Sequence, residues 1–570
     1  MQFLVRNVVS KAFTDQKPGT SGLRKKTKHF MQEHYVDNFV QAIFNVVVDK
    51  SDYILVLGGD GRFYNKDVIL NVILPVAAAN GISKVIIGTN GILSTPAVSH
   101  IIRKHSADGG IVLTASHNPG GLNEDFGIKY NVKNGGPAPE HITDKIFEQS
   151  KLINSFKTTD AFEIDLSKNI ETTFENKETG KKFVVSIIDS VADYLSYMKE
   201  LFDFNSIKSM VTGSDGMGPI NILANSLNGV MGVYVKTVFC QELGVSLSNA
   251  ENCVPLEDFG GRHPDPNLTY AKDLVTKMES GDFDLGCAFD GDGDRNMILG
   301  KKGFFVSPCD SLAVVADNVK AIKYFQQKGC HGFARSMPTS SAVDKVAELH
   351  KLPVYEVPTG WKFFGNLMDA NKLSLCGEES FGMGSDHIRE KDGMWAVLAW
   401  LSILCKFRKE HKKPISVQEI MELHWGKFGR NFFTRYDFEN CTNEQGEQIM
   451  KVLETFIASS DVVGKKFEAN GQSFIIKIAD NFQYTDPIDH SHSKNQGIRI
   501  LFTDGSRLIY RLSGTGSSGA TVRIYIDSYQ KNADICKISS EVALKPLVEI
   551  GLNICQIKQI TGRKEPTVIT

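Results

Sequence analysis

YILVLGGDGRFYNKDVILNVILPVAAANGISKVIIGTNG, residues 53–91, reads as strand, helix, strand. "YILVLGGDGR" (53–62) is an apolar run that breaks at turn residues, and "KVIIGTNG" (84–91) is a second. Between them "KDVILNVILPVAAANG" (66–81) has helical length and stops at a glycine, the residue that most easily takes the left-handed conformation past a helix end. "GGIVLTASHNPGG" (109–121) then supplies a third apolar run that halts at a small polar cluster. Strands alternating with helices predict βαβ units and a mostly parallel sheet. Ligands bind beyond the carboxyl ends of such strands, where Ser116 would sit to attack, to carry a group or only to turn the chain.

The pattern returns twice. "GDFDLGCAFDGDGDRNMILG" (281–300) is a strand, an acidic loop and a second strand, and "KLSLCGEESFGMGSDH" (372–387) runs from a strand into an acidic, glycine-rich loop. Three strand ends with polar cargo suggest related α/β domains that pool their loops. The last part differs: "GIRILFTDGSRLIYRLSGTGSSGATVRIYIDSY" (497–529) alternates like antiparallel strands with "TDGS" as a hairpin turn, and 541–557 looks helical. The polar stretches 150–180 and 437–447 read as loops or domain boundaries.

At 570 residues the chain has length for roughly four domains of about 150 residues each. Its 42% hydrophobic and 23% charged content is that of an ordinary globular protein, and a net charge of −2 gives no case for nucleic acid or an anionic membrane as main partner. "MQFLVRNVVSKAF" lacks the apolar core of a secretory signal, and no transmembrane run is expected. The ten cysteines form no C-x-x-C pair, which favours reduced thiols in the cytoplasm.

"FDGDGDR" places Asp290, Asp292 and Asp294 at alternate positions, so that on an extended segment their carboxylates converge. Three such charges repel unless a cation neutralises them. An EF-hand fails on register, with Arg295 where Gly is needed and Lys301 where Glu is needed; Mg²⁺, which takes few carboxylates plus water and phosphate, fits better. A solvated acidic turn is the plainer reading, and the apolar strand leading into the loop argues against it. A strand ending in D-x-D-G also resembles the nucleophile motif of haloacid-dehalogenase-type phosphatases, with Asp290 phosphorylated, although Asp294 stands where Thr or Val is usual.

"GTGSSG" (514–519) matches a dinucleotide fingerprint in the wrong context, because a strand follows it instead of a helix. A phosphate clamp suits it better than a plain hairpin: small residues let backbone N–H groups reach oxygens, and Arg511 and Arg523 flank it.

Taken together these motifs resemble the phosphoglucomutases of the α-D-phosphohexomutase superfamily, along nearly the whole chain. The resemblance runs through "DQKPGTSGLRKK", "GTNGILSTPAVSH", "TASHNPGG", "NCVPLEDFGG", "HPDPNLTY", "AFDGDGDRNMILG" and "GFARSMPTS". It continues in "PTGWKFFGNLMDA", "LCGEESFG", "GSDHIREKDG", "KFGRNFFTRYD", "RLSGTGS" and "EPTVIT". It implies three related α/β domains with mixed sheets (1–190, 191–307, 308–423) and a C-terminal α+β domain (424–570) around a central cleft. It implies an isomerase of hexose phosphates, interconverting glucose 1-phosphate and glucose 6-phosphate, with Mg²⁺ as cofactor and glucose 1,6-bisphosphate as primer. Parafusin-type members share the pattern, which leaves open a regulatory scaffold of secretion, associated with vesicles, with weak or no mutase activity.

By the same resemblance Ser116 carries the phosphoryl group, and Asp290, Asp292 and Asp294 hold Mg²⁺ against one of its oxygens. Arg295 neutralises the transferring phosphate, while Lys391 and His117 move protons. Glu378 and Ser380 receive sugar hydroxyls, Thr359 and Gly360 border the sugar, and Thr20 and Arg24 reach the cleft. Arg511, Ser513, Gly514, Thr515 and Arg523 grip the phosphate not being transferred. Plainer roles compete: His117 stabilising the turn, Lys391 a solvated charge, Thr20 a cap. Asp60 and Arg62 are read as structural, Trp361 and Phe363 as packing. In 211–233, Asn225, Asn228 and Val233 stand where the family has Asp, His and Pro, which puts local packing there in doubt.

Overall fold

The computed structural model describes residues 1–19, 21–514 and 519–570. An eight-stranded sheet opens the chain. Its centre is parallel: Lys182–Ile188, Lys84–Ile92, Ile54–Gly59 and Gly109–Leu113 lie side by side, with the antiparallel strands Asp125–Val132 and Leu23–Lys26 closing one edge. The central strands are buried because apolar residues occupy successive positions, as a sheet covered on both faces requires.

Two smaller sheets repeat the theme. In the second, Leu285–Phe289 pairs parallel with Ile222–Asn225 and antiparallel with Asn296–Gly300. In the third, Leu375–Gly377 pairs parallel with Phe333–Ser336 and antiparallel with Met383–Ser385. Each sheet therefore has one strand whose end carries a polar loop before the chain returns antiparallel. The fourth sheet is antiparallel throughout, with Arg507–Gly514 and Ala520–Gln530 side by side and the helices Asn443–Ile457 and Ser540–Ile554 in the same part of the chain.

One apolar core joins the first three sheets, running from Val56 and Ile86 through Phe239 to Trp395 and Trp400. The helix Gly393–His411 contributes most to it and is buried continuously from Gly393 to Leu404. The segment 66–81 is helical as expected, with one π turn, Ile69–Ile73, just before Pro75. Proline lacks the N–H and crowds the carbonyl four residues back, and a π turn relieves both.

Two expectations need correction. The stretch 150–180 holds the strands Ser155–Thr158 and Glu171–Asn176, the latter pairing with Lys182–Ile188. The stretch 437–447 is the end of the strand Arg430–Cys441 and the start of the helix Asn443–Ile457, separated by Thr442, whose side chain caps the helix while Gln445 reaches back. Polar composition hid both: Glu171–Asn176 is covered on its outer side only by the two-residue strand Gln2–Phe3, with half of its residues exposed, and first helical turns face water. The unusual turn near 228 packs closed: Asn225 Oδ1 accepts from Leu227 N (2.9 Å) and Asn252 Nδ2 (3.1 Å), and Asn228 Nδ2 donates to the Val254 carbonyl (3.0 Å). Asn228 has φ 56°, a left-handed conformation that asparagine tolerates well.

Candidate active site

Ser116 follows the buried strand Gly109–Leu113 and has φ 55°, a strained value for a residue with a Cβ. Holding it costs about 1–3 kcal/mol and needs surrounding contacts. These are present. Ser116 N donates to Thr114 Oγ1 (2.7 Å), and that hydroxyl donates to Asp60 Oδ2 (2.6 Å). Asp60 pairs with Arg62, both fully buried, and Arg62 donates onward to the Ser116 carbonyl (3.0 Å) and the Asp125 carbonyl (2.7 Å). Opposite, Gly291 approaches so closely that a Cβ there would lie 2.6 Å from the Ser116 carbonyl oxygen. The structural reading of Asp60 and Arg62 thus has a specific content: they clamp the serine turn.

The acidic loop meets that turn. Ser116 Oγ donates to Asp290 Oδ2 at 3.0 Å, and one oxygen from each of Asp290, Asp292 and Asp294 lies within 4.8 Å of the others. Thr95 Oγ1 donates to Asp292 Oδ2 (2.6 Å), Arg295 N to Asp290 Oδ1 (3.0 Å), and Lys391 Nζ lies 3.2 Å from Asp294 Oδ2. Asp292 Oδ1 and Asp294 Oδ1 are buried with no hydrogen-bond partner. Oxygens left over in a buried carboxylate set are what a hard divalent cation would use, so the donor set fits Mg²⁺. Burial, then the neighbouring Asp292 and Asp294 charges, pushes the Asp290 carboxyl well above its ordinary range.

Lys391 is not a solvated charge. Its side chain is 12% exposed, and Gly382 leaves room for it, since a Cβ there would lie 2.4 Å from Lys391 Cδ. Burial works to lower the Lys391 pKa, but Asp294, Glu378 and Asp290 outweigh it and the net shift is upward. His117 moves the other way: burial, then Arg295, His263 and other cations, holds it well below the ordinary imidazole range. Its Nδ1 is 3.4 Å from Ser116 Oγ.

The third sheet's loop adds Glu378, whose Oε1 accepts from Gly360 N (3.2 Å) and whose pKa burial raises. Thr359 Oγ1 is buried without a partner. From the fourth sheet, Arg511 and Arg523 stand directly opposite each other on paired strands. Like charges in that register repel unless an anion lies between them. Arg523 Nε lacks a hydrogen-bond partner and is 3.6 Å from Asp437, while Arg511 donates to the Tyr525 hydroxyl (3.3 Å).

One cleft of about 680 Å³ gathers these groups from all four sheets. Arg24, Ser116, His117, Asp292, Asp294, Arg295, Thr359, Gly360, Glu378, Ser380, Lys391, Arg511, Ser513, Gly514 and Arg523 all line it. Asp290 is 0% exposed and touches it through Ser116. Thr20 and Thr515 lie outside the described residues.

Sequence reasoning passed over several lining residues. Lys129 pairs with Glu390, which also accepts from Asn131 Nδ2 (2.8 Å). Arg435 donates to Glu379 Oε2 (2.8 Å), tying the fourth sheet to the third. His263 stacks on Tyr270 with ring centroids 4.1 Å apart, and Asp265 is 3.6 Å from Arg295. A lysine inside the buried strand "DFGIKYNV" was the one local signal for this group.

Family models cover the chain in order. Phosphoglucomutase/phosphomannomutase alpha/beta/alpha domains I, II and III match residues 15–157, 192–303 and 309–428, and the phosphoglucomutase-1 C-terminal domain matches 430–567. Phosphoglucomutase-1 from Oryctolagus cuniculus is 57% identical over 566 residues, and that from Homo sapiens 56% over 568, each covering 99% of both chains. Among solved structures, the exocytosis-sensitive phosphoprotein pp63/parafusin (phosphoglucomutase) from Paramecium, in its open form, superposes with a TM-score of 0.89 at 45% identity, covering 100% of both chains. Among the described residues no helix is long and apolar enough to cross a membrane. With four domain models matched in sequence and full-length relatives above half identity, the chain belongs to the phosphoglucomutase/phosphomannomutase family.

Proposed function

We propose that this chain is a phosphoglucomutase that interconverts glucose 1-phosphate and glucose 6-phosphate through phospho-Ser116 and a glucose 1,6-bisphosphate intermediate. The observation that carries the reading is the 3.0 Å contact of Ser116 Oγ with Asp290, inside a carboxylate triad and in one cleft with an opposed arginine pair. One end of the cleft suits the phosphate in transfer, the other the phosphate at rest.

Asp290, Asp292 and Asp294 would hold Mg²⁺, which when bound draws electron density from a phosphoryl oxygen and makes phosphorus a better electrophile. The chain's own groups do the rest. Arg511 and Arg523 grip the resting phosphate, aided by Ser513, Gly514 and Thr515. Glu378, Ser380, Thr359 and Gly360 orient the sugar, and Thr20 and Arg24 reach the cleft. A sugar hydroxyl oxygen bonds to phosphorus as the bond from phosphorus to Ser116 Oγ breaks. His117, held neutral, takes the hydroxyl proton and returns it to Ser116 Oγ across their 3.4 Å contact. Lys391, held as an ammonium, and Arg295 offset the charge on the moving group. After the bisphosphate turns over in the cleft, the same steps in reverse leave the other isomer and a phosphorylated serine.

Asp290 accepts a hydrogen bond from the serine it faces, which suits a metal ligand better than a phosphatase nucleophile. No observation favours the regulatory scaffold or a vesicle association. Ten free cysteines suit a cytoplasmic setting.

The test is a coupled assay for glucose 6-phosphate formed from glucose 1-phosphate, with Mg²⁺ and with or without trace glucose 1,6-bisphosphate. Mg²⁺-dependent turnover primed by the bisphosphate and lost by roughly four orders of magnitude in Ser116→Ala is expected. Primed turnover that survives Ser116→Ala would remove Ser116 as the carrier.

A further inference from the structure

A second concavity lies away from the cleft. A groove of about 910 Å³ lies between the helices Ala192–Leu201 and Phe204–Thr212 and the C-terminal half of Gly393–His411, and no residue lines both it and the cleft. Its charge is lopsided. Six lysines line it against three carboxylates, Asp203, Glu242 and Glu410. One of those carboxylates is already paired, Glu242 with Lys199 at 2.8 Å; Asp203 keeps its charge while accepting from Ser206 N (3.1 Å) and Ser206 Oγ (2.7 Å) as a helix cap, with Lys409 acting on it at longer range. Lys406 donates to Asn318 Oδ1 (2.8 Å). Lys208, Lys320, Lys323 and Lys409 have no carboxylate within 4.0 Å among the described residues.

Four such ammonium groups around one concavity, in a chain whose net charge is −2, leave a positive field that a bound anion would relieve. The lining is not charged throughout: Phe204 and Ala321 are half-buried against the core and give it an apolar portion. The volume falls in the range of small-molecule sites, about 300–1,000 Å³, and is enough for a nucleotide. From this combination we infer that the groove is a second ligand site, for a polyphosphate anion that carries a planar or apolar body, a nucleoside triphosphate being the fitting class. The phosphates meet the lysines and the base meets Phe204 and Ala321. The helix that supplies Lys406 and Lys409 begins at the metal loop, where Gly393 N donates to the Gly293 carbonyl (3.2 Å), so groove and cleft lie near the two ends of one helix about 28 Å long.

Isothermal titration with ATP in EDTA, on the full chain, tests this. One equivalent is expected to bind per chain, with affinity falling about tenfold or more in Lys320→Glu/Lys409→Glu and by an intermediate factor in Lys320→Gln/Lys409→Gln. Mutase activity without ATP stays unchanged in both, which shows that they fold. Lys531→Glu/Lys558→Glu, exposed lysines outside the groove, and Arg523→Gln, in the cleft, are expected to bind ATP as the parent does. Inorganic tripolyphosphate is expected to bind several-fold more weakly than ATP. Absence of saturable binding, an equal loss in the Lys531/Lys558 pair, loss confined to Arg523→Gln, or tripolyphosphate binding as tightly as ATP would each overturn the proposal.

Discussion

The serine turn and the arginine pair hold charge in opposite ways. Around Ser116 every buried charge of the clamp has an internal partner: Asp60 binds Arg62 and Thr114, and Arg62 binds two carbonyls. On the fourth sheet Arg511 and Arg523 face each other, and Arg523 Nε makes no hydrogen bond, with Asp437 3.6 Å away. The acidic triad stands between these extremes, bonded on some oxygens and orphaned on two. A satisfied network fixes geometry, whereas an unsatisfied one reserves its interaction energy for a ligand. Substitutions in the first region are therefore expected to act on folding, and those in the second on binding.

Asp60→Asn is the hardest test of the first half. It leaves Arg62 as an uncompensated buried cation, and breaking such a pair costs about 3–5 kcal/mol. Thermal unfolding is expected to shift down by several degrees, and kcat to fall as well, because Thr114 and the Ser116 backbone lose their common anchor. An unshifted melting point would mean that the pair is not what holds the turn.

Asp292→Asn probes the intermediate case, and its two readouts move oppositely. Activity with Mg²⁺ is expected to fall by roughly 10²–10³-fold. With the metal chelated, the variant is expected to melt above the parent, since one of three facing anions is gone. A variant less stable than the parent in chelator would show that the three carboxylates do not repel one another in the metal-free chain.

Arg523→Gln addresses the second half. Losing a charge-assisted hydrogen bond worth about 1.5–3 kcal/mol is expected to raise KM about 10–100-fold, with the melting point unchanged or slightly higher. Inorganic phosphate is expected to raise the parent's melting point more than the variant's. An equal rise in both would place the phosphate elsewhere.

These contrasts also mark what could be read from the sequence. The serine turn and the acidic loop were legible because each is local: an apolar strand, a polar end, and an antiparallel return within about twenty residues. The arginine pair was legible because both residues flank one hairpin loop. Lys129 was not, since its partner Glu390 is 261 residues away and only the fold joins them. The same holds for Arg435 of the fourth sheet with Glu379, in the loop that follows the third sheet's strand Leu375–Gly377. The strand Glu171–Asn176 escaped notice because Phe174 is its one buried apolar side chain, too little to give a period of two.

A pH series separates folding from chemistry, and His424 supplies its calibration. This ring lies on the helix Val417–Phe428, outside the cleft, 6% exposed and with no partner at Nδ1. Burial brings its pKa down to about 4 from the ordinary 6.5, with Asp317 opposing and Lys427 adding to the shift. Above pH 6.5 the ring is neutral in both folded and unfolded chains and contributes no pH dependence. Below 6.5 the unfolded chain takes up the proton and the folded chain does not, so stability falls until about pH 4, where the folded ring titrates as well. The slope from this one group is about 1.4 kcal/mol per pH unit, roughly 2 kcal/mol at pH 5. His424→Phe removes the titrating ring, and its melting point is expected to fall less steeply than the parent's between pH 6.5 and 4 while the pH profile of kcat stays where it was. If the variant and the parent melt in parallel across that range, His424 is already charged in the folded chain, and the acid sensitivity of the fold arises elsewhere.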